Sequence, residues 1–225
     1  MTADQQPPPP AIPEGEYPKF YYPPEEVVQN ANITAYAREK GLANADELYN
    51  WTIQNPQQFW GEMAQKFLDW YQPWDKVLDD SNAPFFKWFT NAKTNVVHNA
   101  IDRHATGPNK DKLAIIWESE QGETKTYTYA QLGAEVNRFA NILKSQGVQK
   151  GDRVTIYLSR VPELLIAMLG VVKVGAIHSV VYGGFSTEAL HSRIEDAQSK
   201  VLITGDGGWM NNKIVELKKI TDEAV

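Results

Sequence analysis

Residues 151–206 read GDRVTIYLSRVPELLIAMLGVVKVGAIHSVVYGGFSTEALHSRIEDAQSKVLITGD, and this stretch decides the fold. Its apolar runs predict three buried strands, at 154–158, 177–182 and 201–204. The segments that begin at Pro162 and Ser186 predict helices between those strands. Strands that alternate with helices of this length form right-handed crossovers in a parallel sheet. We therefore predict an α/β fold with a mainly parallel sheet and flanking helices.

Two more strands and a helix are predicted just before this stretch. Segments 113–117 and 124–129 favour β structure, and Gly122 supplies a turn between them. Thr128 and Gln131 have the spacing of a capping box at the head of the next helix. The predicted apolar face of that helix consists of Leu132, Val136, Phe139, Ala140 and Leu143. The helix that begins at Pro162 is instead apolar on all sides at 164–172, which predicts that it is buried.

An aromatic-rich region at 25–105 precedes the α/β part and holds five of the seven tryptophans. Asn55 and Pro56 suit the start of a helix. The apolar stripe of that helix consists of Phe59, Trp60, Met63, Phe67 and Trp70. Such a stripe could form a platform for a cofactor, but helical spacing is more typical of packing. We interpret 25–105 as a helical leader packed on the main domain, and 106–225 as the first part of that α/β domain.

Residues 1–24 contain eight of the thirteen prolines, including the run at 7–10. Proline fixes φ and lacks an N–H, so this segment predicts an extended or disordered arm. A ligand for a proline-recognition domain is the alternative, although short proline runs are more often linkers.

Composition excludes several functional classes. The net charge of −6, with lysines and arginines scattered singly, argues against nucleic-acid binding. The longest apolar run, at 164–172, is far shorter than a membrane span, and no signal-peptide pattern begins the chain. The absence of cysteine rules out disulfides and thiolate ligands, and His98 and His104 lack a convergent carboxylate pattern. We expect a cytoplasmic protein with no metal site and no membrane partner.

The candidate binding site is the turn formed by Tyr182, Gly183, Gly184, Phe185 and Ser186, between a strand and a helix. Two glycines permit positive φ and let a ligand approach bare backbone, and the helix N-terminus offers free N–H groups. The alternative is that the glycines only serve the geometry of the chain. Neither a dinucleotide fingerprint nor a phosphate-binding P-loop is present.

Several separated segments resemble the AMP-forming acetyl-CoA synthetases. The most specific is AIHSVVYGGFS at 176–186. The others, in the same order as in that family, are NVVHNAIDRH at 95–104, TYTYA at 126–130, NRFAN at 137–141, KGDRVTIY at 150–157 and the Pro162-Glu163 pair. The likeness extends over nearly the whole chain from about residue 20.

The resemblance implies an adenylate-forming ligase that joins acetate to ATP, releases pyrophosphate and passes the acetyl group from acetyl-AMP to coenzyme A. Magnesium usually accompanies the ATP. The family's phosphate loop, acetate-binding segments and catalytic lysine are expected beyond Val225, so we assign no catalytic residue here. Because helical spacing continues to the last residues (Ile214, Leu217, Ile220 and Ala224), we expect an N-terminal portion of a longer enzyme, inactive alone.

The same resemblance places part of the coenzyme A site in this region. It brings Tyr182, Gly183 and Gly184 near the nucleotide end of coenzyme A. It also implies a contribution from the segment ITGDGGWMNNK at 203–213, and specifically from Met210, Asn211, Asn212 and Lys213. Met210 and Lys213 stand at two positions where the family usually has arginine, and methionine cannot bond a phosphate.

Three interpretations of this departure remain open. Coenzyme A binds with weaker phosphate contact, or Trp209 compensates by stacking on adenine, or the carrier is held elsewhere; a fourth possibility is that the alignment slips by a residue or two. Among functions, a propionyl-CoA or other short-chain acyl-CoA synthetase and a truncated non-catalytic module of the same fold are the alternatives. The expected partners are acetate, ATP and coenzyme A, and the sequence leaves a homo-oligomer open.

Overall fold

The structure is a computed structural model that describes residues 22–225. The predicted arm at 1–24 therefore lies almost entirely outside the described residues. The chain divides into two compact units, with the boundary between Glu62 and Met63. Each unit is described by itself.

The first unit is helical. Its helices are α1 (Glu25–Asn30), α2 (Asn32–Glu39), α3 (Ala45–Gln54) and the first turns of α4 (Pro56–Phe67). The Asn44 side chain accepts a 2.9 Å hydrogen bond from the Glu47 N–H and so caps α3. Helix α4 begins at Pro56 as predicted, because proline suits the first helical position.

The predicted aromatic stripe of α4 is only partly buried. Trp60 is 49% exposed and Phe67 is 57% exposed. The helix also ends at Phe67, and Trp70 lies beyond it. The Trp70 indole N–H donates to the Ala64 carbonyl at 3.0 Å, which folds the chain back after the helix end.

A polar cluster centred on Glu62 joins helices of the first unit. The Tyr36 hydroxyl donates to the Glu62 carboxylate at 2.7 Å, and the Lys40 ammonium donates to it at 2.6 Å. Gln58 supplies a third donor at 2.9 Å. These hydrogen bonds, that of Lys40 above all, lower the pKa of Glu62 from 4.5 to about 2.

We expect the contribution of Glu62 to stability to depend on pH. A depressed carboxyl pKa stabilises the fold above the ordinary value of 4.5, and this stabilisation is lost as the pH falls toward 2. Glu62→Gln should therefore lower the free energy of unfolding at pH 7, and its difference from the unmodified chain should shrink between pH 5 and pH 2. Urea denaturation followed by tryptophan fluorescence measures both, with Glu26→Gln on the exposed side of α1 as the control. A difference that stays constant with pH would contradict this role of Glu62.

The second unit holds all the described strands. Before the α/β part it contains a small pair, β1 (Leu78–Asp79) and β2 (Lys87–Trp88), then a π-helical turn His98–Asp102 that leads into α5 (Arg103–Ala105). An antiparallel hairpin follows, made of β3 (Leu113–Glu118) and β4 (Thr124–Thr128). The remaining elements are α6 (Tyr129–Ser145), β5 (Arg153–Leu158), α7 (Pro162–Lys173), β6 (Ile177–Tyr182), α8 (Thr187–Ala197), β7 (Val201–Thr204), β8 (Gly208–Met210), β9 (Lys213–Val215) and α9 (Leu217–Ala224).

The centre of this unit is a parallel sheet with the strand order β6-β5-β7. Alternate residues of β5 face opposite sides of the sheet. Ile156 packs with Ala167 and Val171 of α7, whereas Tyr157 packs with Leu190 of α8 and Leu217 of α9. The predicted α/β fold is confirmed.

Three boundaries differ from the prediction. Tyr129 is the first residue of α6 and not the last residue of a strand. Thr128 is the N-cap of this helix, and it forms the predicted capping box with Gln131. Ile214 lies in β9, so the last helix starts only at Leu217. Helix α7 was expected to be buried all round, yet Leu165 is 39% exposed.

None of the helices formed within residues 22–225 combines the length and the apolar character needed to span a bilayer.

Candidate functional site

The carboxyl edge of the parallel sheet is where the predicted site residues lie. From the central strand β5 the chain passes to β6 on one side, and from β6 it crosses over to β7 on the other side. The connecting helices α7 and α8 lie on opposite faces. In open α/β sheets ligands bind outside the carboxyl ends of the strands where the order reverses in this way. Here that place is the end of β5, between the loops that follow β6 and β7.

A cavity of about 630 Å³ opens at this edge. It is lined by the ends of β5 and β6, the tip of the β3–β4 hairpin and the β8–β9 hairpin. Its lining includes Trp117, Glu120, Arg160, Tyr182, Gly183, Trp209, Met210 and Asn211. Four of the seven predicted site residues, namely Tyr182, Gly183, Met210 and Asn211, therefore line one cavity.

The two glycines are required for close approach and not for backbone conformation. Neither Gly183 nor Gly184 has a positive φ, so that part of the prediction is wrong. A Cβ on Gly183 would lie 3.0 Å from the Leu158 carbonyl oxygen. A Cβ on Gly184 would lie 2.7 Å from the Tyr182 ring and 3.2 Å from Met210 Cε. The side chain of Met210 therefore packs against the glycine turn.

The buried Tyr157 hydroxyl holds this turn in place. It lies 3.1 Å from the Gly183 carbonyl oxygen and 2.9 Å from the Phe185 carbonyl oxygen, to both of which it can donate. Burial raises the pKa of Tyr157, so the hydroxyl keeps its proton. The sequence analysis placed Tyr157 in the buried strand and missed this role, since spacing along the chain does not reveal which side chain reaches the turn.

Backbone donors remain available next to the turn. The N–H of Gly184 has no hydrogen-bond partner within the described part of the chain. Ser186 caps α8 by accepting from the Ala189 N–H at 3.4 Å, and the guanidinium of Arg193 lies 4.7 Å from the centre of the Phe185 ring. The start of α8 is thus fixed while the glycine backbone in front of it stays open.

The segment after β7 forms a hairpin that the sequence analysis did not predict. Asn211 and Asn212 both adopt left-handed φ values, of 52° and 59°, and form its two-residue turn. Two consecutive asparagines between short β segments are a known signal for such a turn, and this signal was available in the sequence. The hairpin pairs Met210 with Lys213, so the two positions where the family usually has arginine lie side by side.

A carboxylate from a distant loop clamps this turn. The backbone N–H groups of Asn211 and Asn212 donate to the two oxygens of Glu120 at 3.2 and 3.0 Å. The side chain of Glu120 therefore occupies the N–H groups of both asparagines of this turn. Asn212 and Lys213 do not line the cavity, and Lys213 is exposed.

Among residues 22–225 there is no group of three or more histidine, aspartate or glutamate side chains that could hold a metal ion.

The comparisons with known proteins agree with the motifs. Residues 101–225 match the family of AMP-binding enzymes, and residues 45–100 match the family described as the acetyl-coenzyme A synthetase N-terminus. The chain is 46% identical over 208 residues to the acetyl-coenzyme A synthetase of Methanothrix thermoacetophila, across 92% of this chain and 31% of that protein. It is 51% identical over 172 residues to the 3-hydroxypropionyl-coenzyme A synthetase of Metallosphaera sedula, across 76% of this chain and 26% of that protein.

A solved acetoacetyl-CoA synthetase from Streptomyces lividans has the same fold. Its TM-score is 0.82 at 26% sequence identity, and the match covers 90% of this chain and 32% of that chain. The chain thus spans about a third of the length of the acetyl-CoA synthetase that it matches. The resemblance found from the motifs is confirmed, and the chain belongs to the family of AMP-binding enzymes.

Proposed function

We propose that this chain supplies the first third of an AMP-forming acetate–CoA ligase. The observation that carries the proposal is the succession of two matches, an acetyl-CoA synthetase N-terminus at 45–100 followed directly by an AMP-binding segment at 101–225. The 46% identity to an acetyl-CoA synthetase over 92% of the chain supports it further.

The proposed reaction has two steps. Acetate attacks the α-phosphate of ATP, which gives acetyl-AMP and releases pyrophosphate. The thiolate of coenzyme A then attacks the acetyl carbonyl, and AMP leaves. AMP is a far better leaving group than hydroxide, so the thioester forms readily. We place most of the ATP and Mg²⁺ sites outside these 225 residues.

The task of the described residues is to hold the nucleotide end of coenzyme A. The cavity of about 630 Å³ has room for part of such a ligand, and its glycine turn leaves backbone where a Cβ would fill the space. We assign Tyr182, Gly183 and Gly184 to contacts with the nucleotide, and Trp209, which is 48% exposed, to stacking on its adenine. The β8–β9 hairpin forms the adjoining wall through Met210 and Asn211, and we assign Asn212 and Lys213 of the same hairpin to contacts just outside the cavity.

A related acyl substrate is the second candidate. The 51% identity to a 3-hydroxypropionyl-coenzyme A synthetase favours a three-carbon acid, and propionate is the simplest member of that class. The acid pocket is not formed by the cavity described here. Rates of pyrophosphate exchange with acetate, propionate and 3-hydroxypropionate, measured on the intact ligase, decide between them.

Isotope exchange between pyrophosphate and ATP tests the function itself. The intact ligase should exchange label only when the acid is present, and it should form acetyl-CoA once coenzyme A is added. The 225-residue chain alone should show no exchange, because nothing in it cradles the triphosphate. A non-catalytic module of the same fold would give no exchange in either form. Cell fractionation and sedimentation test the proposed cytoplasmic location and a homo-oligomer.

Lys213→Ala should raise the KM for coenzyme A about threefold to tenfold, between the effect of an exposed ion pair and that of a charge-assisted hydrogen bond. Acetate-dependent pyrophosphate exchange should not change, since coenzyme A takes no part in it. Lys219→Ala, an exposed lysine of α9, is the matched control. An unchanged KM for Lys213→Ala would remove this side chain from the proposed site.

A further inference from the structure

Arg160 is a cation in the candidate cavity that neither the motifs nor the fold explains. It lies in the loop that follows β5, at the point where the strand order reverses. Its backbone is fixed, because the Trp117 indole N–H donates to the Arg160 carbonyl oxygen at 2.8 Å. Among the residues that line the cavity, Arg160 alone carries a positive charge.

The guanidinium of Arg160 has no polar partner within residues 22–225, unlike the other arginines there. The other arginines, namely Arg38, Arg103, Arg138, Arg153 and Arg193, all donate to carbonyl or carboxylate oxygens. Three glutamates also line the cavity, namely Glu118, Glu120 and Glu123, yet none forms an ion pair with Arg160. Glu120 is already bonded to the hairpin turn. Arg160 is exposed, so water can serve its five N–H donors, and a ligand in the cavity can replace that water without breaking a bond within the described residues.

We propose that Arg160 binds a phosphate group of coenzyme A and supplies the guanidinium that Met210 cannot. This inference rests on the proposed function. Met210 and Arg160 line the same cavity, so a phosphate near the β8–β9 hairpin can be reached from the β5 loop. The planar fork of arginine bonds two phosphate oxygens at once, which the ammonium of Lys213 cannot do. Helix α7 begins two residues later, and its N-terminus adds a favourable partial charge.

The position of Arg160 also explains how the site supplies a positive charge for a phosphate although residue 210 is methionine. A phosphate held only by Lys213 would contact one exposed ammonium outside the cavity. Arg160, in contrast, lines the same cavity as Gly183 of the β6 turn. The weaker-contact interpretation is thereby replaced by one in which the phosphate contact moves from β8 to the loop after β5.

The test uses the intact ligase. Arg160→Ala should raise the KM for coenzyme A about tenfold to a hundredfold, as expected for one charge-assisted contact, and leave acetate-dependent pyrophosphate exchange unchanged. Arg160→Lys should recover part of the loss, since it restores the charge without the fork. Arg138→Ala, which removes an exposed arginine paired with Glu135 on α6, is the control and should leave the KM unchanged.

A second measurement, with 3′-dephospho-coenzyme A, shows which phosphate group Arg160 contacts. If Arg160 holds the 3′-phosphate, its replacement should have little effect with 3′-dephospho-coenzyme A; if it holds the pyrophosphate, the effect should persist. Either result supports the inference. An unchanged KM in Arg160→Ala, or an equal rise in Arg138→Ala, would overturn it while the exchange reaction still upholds the ligase. If the unmodified protein shows no exchange, the proposed function fails, and calorimetric titration with coenzyme A then decides the role of Arg160 directly.

Discussion

Gly208→Ala is expected to lower the free energy of unfolding by about 1–3 kcal/mol, the usual cost of an overpacked site. A Cβ on Gly208 would lie 2.4 Å from both Cβ and Oγ of Ser159. Ser159 Cβ is attached directly to the backbone of the β5 loop and is only 7% exposed, so it cannot swing aside. The new methyl group must push the β8–β9 hairpin away from the end of β5, which widens the candidate cavity. We therefore also expect a higher KM for coenzyme A in the intact ligase.

Gly205→Ala is the matched control in the same segment. Its added Cβ would meet Leu158 Cδ2 at 3.4 Å, an ordinary contact, and the position has no positive φ. Because alanine restricts the unfolded chain, this substitution should be neutral or stabilise the fold by up to about 1 kcal/mol. Urea unfolding of both variants measures the contrast. Equal stabilities for the two would show that the hairpin and the β5 loop do not pack as described.

The second large effect is expected from Tyr157→Phe, which removes only the hydroxyl that faces the glycine turn. The carbonyl oxygens of Gly183 and Phe185 then lose a buried donor, at a cost of about 1–2 kcal/mol. The packing of the ring against α8 and α9 is kept, so the fold should survive. The turn should loosen, and the KM for coenzyme A should rise together with the drop in stability.

Tyr49→Phe is the control for this substitution, because Tyr49 is 65% exposed and lies in a helix of the first unit. Tyr49→Phe should change neither the free energy of unfolding nor the KM for coenzyme A. If Tyr157→Phe lowers stability but leaves the KM untouched, the hydroxyl serves only the core and the turn needs no such support.

The sequence was sufficient for the parallel sheet because its strands are continuous apolar runs separated by helices with clear start signals. Thr128 and Gln131 are one such signal, and both hydrogen bonds of the capping box are present. The spacing of apolar residues does not identify an element that is only a few residues long. Ile214 fits a helical pattern with Leu217, yet three residues of β9 pair with β8 because the asparagine turn brings the two strands together.

The site was predictable only in part, for a related reason. The glycine turn and the segment after β7 were found from motifs, and the structure brings Gly184 and Met210 together. Tyr157 and Arg160 were missed, since their importance depends on which loops meet across the end of the sheet. The reason for the two glycines was also mistaken, because crowding by Leu158, Tyr182 and Met210 cannot be read from one segment.

The bond between Glu120 and the asparagine turn joins segments that are 91 residues apart. A substitution in either segment therefore affects the hydrogen bonds of the other. A lineage that shortens the β3–β4 tip or replaces its acid leaves two amides without an acceptor, and only a rebuilt turn at 211–212 restores them. We therefore expect positions 120, 211 and 212 to change together among relatives, and a chimaera that exchanges one loop must carry the other with it.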